Sequence, residues 1–318
     1  MNNKNPADPG DAPLVSVVIP AYNCARFIRE ALDSALAQDY PGVEVIVVDD
    51  GSTDETGAIL ASYGAQIRLI SQRNRGCAAA RNAGVAHARG KYIAFLDGDD
   101  AWWPWKIGYQ MQALGETGYK LAYSRFIVWH QEADGFYVPA ERMFSAEGLA
   151  HVSDCELVTG YTYEALLKDC MVWTSTVLVE KTVLDEAGGF DETLELGEDY
   201  DLWLRLSHTL PMLGLAQPTA LYRQHPHSIT RGARHTNYEY LVLSRALALW
   251  GPGSAPEPGA MQARLARSMF DHGYSHYKGG NARVAALSFL QCMKHGDIRI
   301  KPLLLFLVCL AKATLARR

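Results

Sequence analysis

The sequence predicts an α/β fold, a mostly parallel sheet flanked by helices with a helical C-terminal extension, and three observations predict it. From residue 14, short β-branched runs alternate with longer segments of helical period. The strand runs are apolar almost without interruption, the pattern of strands buried on both faces of a parallel sheet. Two of them, "VEVIVVDD" (43–50) and "KYIAFLD" (91–97), end in carboxylates, and in open α/β sheets ligands gather at the C-terminal strand ends.

"LVSVVIP" (14–20) is the first strand, followed by a helix through "ARFIREALDSALAQ" with Phe27, Ile28, Ala31, Leu32, Ala35 and Leu36 on one face. "VEVIVVDD" is the second strand. "STDE" then opens a helix through "TDETGAILASYG". "IRLISQ" is the third strand, "AAARNAGVAHA" the third helix, "KYIAFLD" the fourth strand and "WKIGYQMQAL" the fourth helix. Residues 120–232 are less regular, with strands expected in "KLAYSRFIVW" and "TSTVLVEK" and a helix in "EDYDLWLRLS" (198–207). "GPGSAPEPG" (251–259) reads as a linker, and beyond it a helical hairpin split by Gly-Gly resembles a single tetratricopeptide pair. The expected organisation is a disordered leader over 1–13, an α/β domain over 14–235 and a helical extension over 236–318.

A length of 318 residues with 48% hydrophobic content supports a substantial core. A formal net charge of −5 argues against nucleic acid as a partner, because chains that track phosphate backbones carry a basic excess. The six cysteines show neither CxxC nor zinc spacing, and no secretory signal is recognisable, so reduced thiols in a cytoplasmic protein are expected. The longest apolar stretch, "PLLLFLVCLA" (302–311), is far short of the ~20 residues a membrane span needs.

The chemistry concentrates in acidic clusters. "FLDGDD" aims Asp97, Asp99 and Asp100 from a buried strand at one point, where carboxylates repel unless a cation sits among them. Mg2+ and Mn2+ suit such a site, since they accept one or two carboxylates and take further oxygens from a substrate phosphate and water. "LGEDYDLWLRL" sets Glu198, Asp199 and Asp201 at the mouth of an amphipathic helix, where the macrodipole by itself favours acids. "YRQHPHSIT" groups Arg223, His225 and His227, one of which could be a metal ligand or a phosphate donor, against the plainer reading of histidines that are packed or solvated. Trp102, Trp103 and Trp105 either stack on a sugar or pack beneath the sheet.

"VSVVIPAYN", "VIVVDDGSTDET", "NRGCAAARNAG", "YIAFLDGDD" and "GEDYDLWLRL", in this order over residues 14–232, resemble the inverting glycosyltransferases of family 2. That resemblance implies a Rossmann-like sheet of the GT-A type and transfer of a sugar from a nucleotide diphosphate, a UDP-sugar, to a hydroxyl of a glycan or lipid-linked saccharide, as in cell-surface polysaccharide synthesis. It also implies that Pro20, Ala21 and Tyr22 line the nucleotide pocket, that Asp50 accepts from the base, and that Arg81 lies near that ring or the phosphates. Asp97 would face the ribose or sugar, Asp99 would ligate Mn2+ or Mg2+, His225 would assist the metal or diphosphate, and Asp199 would be the general base.

A dehydrogenase is excluded because the first turn, "PAYNCARF", lacks GxGxxG, and a sugar nucleotidyltransferase because no glycine-rich phosphate loop is present. The remaining rival is a transferase-like scaffold that binds nucleotide-sugar without turnover. "IRIKPLLLFLVCLAKATLARR" has two readings, a helix packed on the catalytic domain or an interfacial helix in peripheral contact with the inner membrane surface.

Overall fold

The computed structural model describes residues 12–132, 135–145, 148–226, 228, 234–253, 259–296 and 300–315. The described residues divide into two compact units, one drawn from Met1–Thr162 and Cys170–His225, the other from Tyr163–Asp169 and Pro226–Arg318. Residues 1–11 of the expected leader, 254–258 of the expected linker, and His227 lie outside the described residues.

In the first unit β1 (Val15–Ala21), α1 (Ile28–Leu36), β2 (Val43–Asp49), α2 (Thr56–Ser62), β3 (Arg68–Ser71), α3 (Cys77–His87) and β4 (Tyr92–Phe95) alternate strand with helix. β1 pairs in parallel with both β2 and β4, with Ala21 level with Asp49 and Val18 with Phe95. The three strands therefore end at one edge, and Asp97, two residues past β4, arrives there with Asp50. α1 buries Ile28, Ala31, Leu32 and Ala35, the i, i+3, i+4, i+7 stripe its sequence predicts. α3 lies close to β1 because Gly84 has no side chain: a Cβ there would meet Val18 Cγ1 at 2.3 Å.

The rest of the unit comprises β5 (Ala101–Trp102), α4 (Lys106–Thr117), β6 (Leu121–Trp129), α5 (Ala140–Met143), β7 (Leu178–Glu180), α7 (Lys181–Ala187), α8 (Glu198–Thr209) and β8 (Leu213–Arg223), with α6 (Tyr163–Lys168) assigned to the second unit. The strand order is β3-β2-β1-β4-β7-β6-β8-β5. β7 runs antiparallel to β4 and β6, and β5 antiparallel to β8, so only half the sheet is the continuous parallel array expected. Apolar runs report burial on both faces but not strand direction, which the partners decide. The expected strand "TSTVLVEK" is shorter than its pattern: Thr174–Thr176 form a 3-10 turn and pairing begins at Leu178.

Trp102 is fully buried in the main core beside Val17, Ile19 and Ile107, while Trp103 packs with Ile127, Trp129 and Met143. Of the two readings for the tryptophans, packing holds for both. Trp105 sits against Trp103 and Tyr109, ring centres 6.0 and 5.7 Å away.

In the second unit α9 (Tyr238–Trp250), α10 (Ala260–Lys278), α11 (Ala282–Lys294) and α12 (Ile300–Leu315) follow one another. Asn237 and Asn281 cap α9 and α11 by accepting from Tyr240 N and Val284 N. α6 joins this unit through Tyr163, whose hydroxyl donates to Gly251 O at 2.8 Å. Its core includes Ala285, Ala286, Phe289 and Cys309, with Phe270 and Phe306 packed against it.

Candidate active site

The site grows from the sheet edge where β1, β2 and β4 end. Asp50 leaves β2 buried, its backbone N–H donating to Ala21 O, and its carboxylate accepts from Gln72 Nε2, Arg75 N and Gly76 N at 2.7–2.9 Å. It thereby braces the 72–76 loop that opens α3, and of its roughly four lone-pair sites about one remains for another donor. Gly51 completes the turn at φ 78°, where a Cβ would lie 2.8 Å from Asn74 N. Asn23 locks this turn to the end of β1, its Oδ1 accepting from Thr53 N and Asp54 N. Along the same wall Pro20 is half-buried, Ala21 buried and Tyr22 50% exposed, so the tyrosine ring is open to a ligand.

The "DGDD" carboxylates have three fates. Asp100 is buried, accepting from Arg223 N through Oδ1 and from Ser175 Oγ and Trp173 Nε1 through Oδ2. Burial, and then the charges of Asp99 and Asp97, push its carboxyl well above the ordinary aspartate value. Asp97 accepts from Arg81 at 2.7 Å, and its own N–H donates to Ser175 Oγ. Burial holds the Asp97 carboxyl above the ordinary value, Arg81 opposes this, and the charges of Asp99 and Asp199 add to it. Asp99 is half-buried and meets His225 Nε2 through Oδ2 at 2.9 Å.

The β5–β8 register explains that meeting. Ala101 pairs with Leu221 across antiparallel strands, so Asp99 comes opposite Arg223, with His225 just beyond. Arg223 is 2% exposed: its Nε donates to Asp99 O at 2.7 Å, its guanidinium pairs with Glu30, and its charge centre lies 3.6 Å from the centre of the Trp129 ring. It fixes the Asp99 backbone and does not itself face the site. Phe27 packs against the His225 ring at 4.8 Å between centres.

α8 brings the second acidic cluster. Glu198 is buried against Arg81, 2.6 Å from its Nη1, so Arg81 bridges Glu198 and Asp97. Burial raises the Glu198 carboxyl to about 7, helped by the Asp199 charge and opposed by Arg81. Asp199 is half-buried at the helix N-terminus, accepting from Thr174 Oγ1 at 2.9 Å and from Tyr200 N. Asp201 turns away to Arg205, which donates to Ala187 O and Gly189 O and ties α8 to its preceding loop.

The structure thus joins Asp99 to His225 directly and sets Asp97 within charge-interaction range of both Asp99 and Asp199. Arg81, expected beside the nucleotide, is held between two carboxylates. The residues that sequence reasoning missed are those of "WTST" (173–176): Trp173 and Ser175 hold Asp100, Thr174 holds Asp199, and Ser175 O accepts from Trp102 Nε1. One turn staples both acidic motifs, and the only hint of it was hydroxyls interrupting an apolar run. Among the described residues no group of three or more His, Cys, Asp or Glu surrounds a common point. The Asp99–His225 pair nonetheless fits Mn2+ or Mg2+ bound by two protein groups, the other positions being left to diphosphate and water.

A half-sheet of parallel strands flanked by helices, with carboxylates at the strand ends, is the GT-A type of architecture. Comparisons with known proteins agree. Residues 16–168 match the family profile described as Glycosyl transferase family 2. The Escherichia coli protein WfaP, a UDP-Glc:alpha-D-GlcNAc-diphosphoundecaprenol beta-1,3-glucosyltransferase, is 33% identical over 68% of this chain and 80% of its own. An uncharacterized glycosyltransferase of Rickettsia prowazekii is 38% identical over 61% of this chain, and the match spans 58% of that relative's length. Among solved structures, Staphylococcus aureus TarS 1-349 in complex with UDP aligns with a TM-score of 0.58 and 18% identity over 89% of this chain and 81% of that one. The mannosyltransferase PcManGT of Pyrobaculum calidifontis, in complex with GDP-Man and Mn2+, aligns at 0.54 and 19% over 98% and 82%. The chain belongs to glycosyl transferase family 2.

Proposed function

We propose that the protein transfers a sugar from a UDP-sugar, with inversion at the anomeric carbon, to a hydroxyl of a lipid-linked saccharide at the cytoplasmic face of a membrane, as a step in polysaccharide assembly. The observation that carries this reading is the pairing of Asp99 with His225 while Asp199 stands on a separate helix, held by the same 173–176 turn. Inverting transfer needs two such separate functions, a counter-charge for the leaving diphosphate and a base on the opposite face of the sugar.

In this reading Pro20, Ala21 and Tyr22 form the wall against the base, and Asp50 accepts from it while bracing the 72–76 loop. Asp97, oriented by Arg81, accepts from a ribose or sugar hydroxyl. Asp99 and His225 would hold Mn2+ or Mg2+, which when bound supplies counter-charge to the diphosphate without proton transfer. Asp199 takes the proton of the acceptor hydroxyl as its oxygen bonds to the anomeric carbon, and the bond from that carbon to the diphosphate oxygen breaks with its electron pair leaving on UDP. Thr174 keeps the Asp199 carboxylate aimed, and Glu198, held neutral more than an ordinary glutamate, leaves Asp199 to act as the base.

The WfaP name, with its UDP-glucose donor and diphosphoundecaprenol acceptor, supports both the donor class and the acceptor class. The test is turnover of UDP-glucose, UDP-galactose and UDP-GlcNAc with a synthetic lipid-diphosphate saccharide, with the product's anomeric configuration read by NMR. A β-linked product from an α-configured donor is expected. An α-linked product would contradict the single-displacement roles, and UDP binding without turnover of any donor would favour the scaffold instead.

A further inference from the structure

The charge of the chain is unevenly spread. Residues 226–318 hold 13 Lys and Arg against 4 Asp and Glu, whereas the 225 residues before them hold 17 against 31. A modest overall charge of −5 therefore conceals a strongly basic segment behind an acidic one. The basic segment also carries the most apolar exposed surface among the described residues. On α12, Ile300 is 75% exposed, and Leu303, Leu304, Leu307, Val308 and Leu310 are between 41% and 55%.

These side chains form a stripe. At about 100° per residue, positions 300, 303, 304, 307, 308 and 310 fall on one side of the helix. Cys309 and Pro302 are buried on the other side, with Leu305 and Phe306 half-buried, where α12 packs against the core built on Phe289. Lys301 and Lys312, three turns apart, lie on the boundary. Their ammonium groups sit over the rings of Phe270 and Tyr274 and of Tyr277, with Lys312 at 4.6 Å from the ring centre. One face of α12 is thus anchored to the protein, the other is oily, and the edge is cationic.

The helix spans 16 residues, about 24 Å, short of the ~30 Å hydrocarbon core, and no helix among the described residues is long and apolar enough to cross a membrane. An oily stripe with a cationic margin on a basic segment matches a surface that is apolar beneath and anionic on top. We infer that α12 is a membrane-docking element that lies in the plane of an anionic lipid bilayer, inserting Ile300, Leu303, Leu304, Leu307 and Val308 among the acyl chains while Lys301 and Lys312 meet lipid phosphates. This deepens the proposal of a membrane-borne acceptor, and its test is independent of the donor site.

The full chain is sedimented with vesicles of phosphatidylcholine alone and with vesicles containing about 30 mol % phosphatidylglycerol, at low salt and at about 0.5 M NaCl. The expected result is at least about tenfold greater partitioning to the anionic vesicles at low salt, lost in high salt. Leu304→Glu with Leu307→Glu, both solvent-facing, should abolish it, and Lys301→Gln with Lys312→Gln should lower it severalfold, while UDP binding is unchanged in both. Failure of the parent chain to sediment with anionic vesicles, or equal binding to both vesicle types, would overturn the inference. So would a concentration-dependent dimer in light scattering that disappears in the Leu304/Leu307 variant, since the stripe would then be covered by a second copy. Loss of UDP binding alone, with vesicle binding intact, would count against the donor site and leave α12 standing.

Discussion

The end of β4 and the start of α8 deliver the same chemistry differently. Each presents consecutive acids, and in each one acid is sunk as an anchor while its neighbour faces the site. After β4 the anchor is Asp100, which meets only neutral donors, two from the 173–176 turn and one from Arg223 N. At α8 the anchor is Glu198, which meets a cation, Arg81. The half-buried partners follow suit: Asp99 is steered through its backbone by Arg223, and Asp199 through its carboxylate by Thr174. In each pair one acid is buried and the other half-buried, and the proposed function assigns structure to the first and chemistry to the second.

That division predicts a graded series. Asp199→Asn should lower transfer by about 10³-fold or more while UDP affinity stays within about twofold, read by single-turnover kinetics and calorimetry. Near-normal turnover would mean that the half-buried acid of α8 is not the base.

Glu198→Gln probes the anchor through pH. With Glu198 near 7 in the folded chain against an ordinary 4.5, the native state holds its proton more tightly than the unfolded chain. That contribution to stability is complete below about pH 4.5 and is lost as pH rises through about 7, in all about 3 kcal/mol. Urea melts of Glu198→Gln should therefore gain on the parent by about this amount between pH 4.5 and 7. A parallel pair of stability curves would show that Arg81 keeps Glu198 ionised throughout.

Asp99→Ala should weaken UDP binding in Mn2+ by about 10²-fold, ~2.7 kcal/mol, and leave the metal-free affinity unchanged. Asp100→Asn should cost about 2 kcal/mol of stability, because its amide would turn donors toward Ser175 and Trp173. If Asp100→Asn instead abolished metal-dependent binding without changing the melt, anchor and working acid would be reversed.

Much of this was legible in the sequence. The apolar runs "VSVVIP" and "VIVVDD" and the helical stripe of α1 mark the parallel half-sheet, and the acids at its edge follow from topology alone. The rest depended on pairings distant in sequence: Arg81 to Glu198 spans 117 residues, Ser175 to Asp100 spans 75, and Arg223 to the Asp99 carbonyl spans 124. Periodicity is local and cannot register such contacts. It also misjudged "TSTVLVEK", where hydroxyls that suit a strand's pattern are spent on stapling carboxylates through a 3-10 turn.

The central claim is that Asp99 and His225 form the diphosphate end of a nucleotide-sugar site. Calorimetric titration of UDP into the parent chain, with and without Mn2+, tests it most directly. The account predicts binding that strengthens markedly with Mn2+ and loses that gain in Asp99→Ala. UDP affinity indifferent to the metal, or a metal response that survives Asp99→Ala, would contradict it.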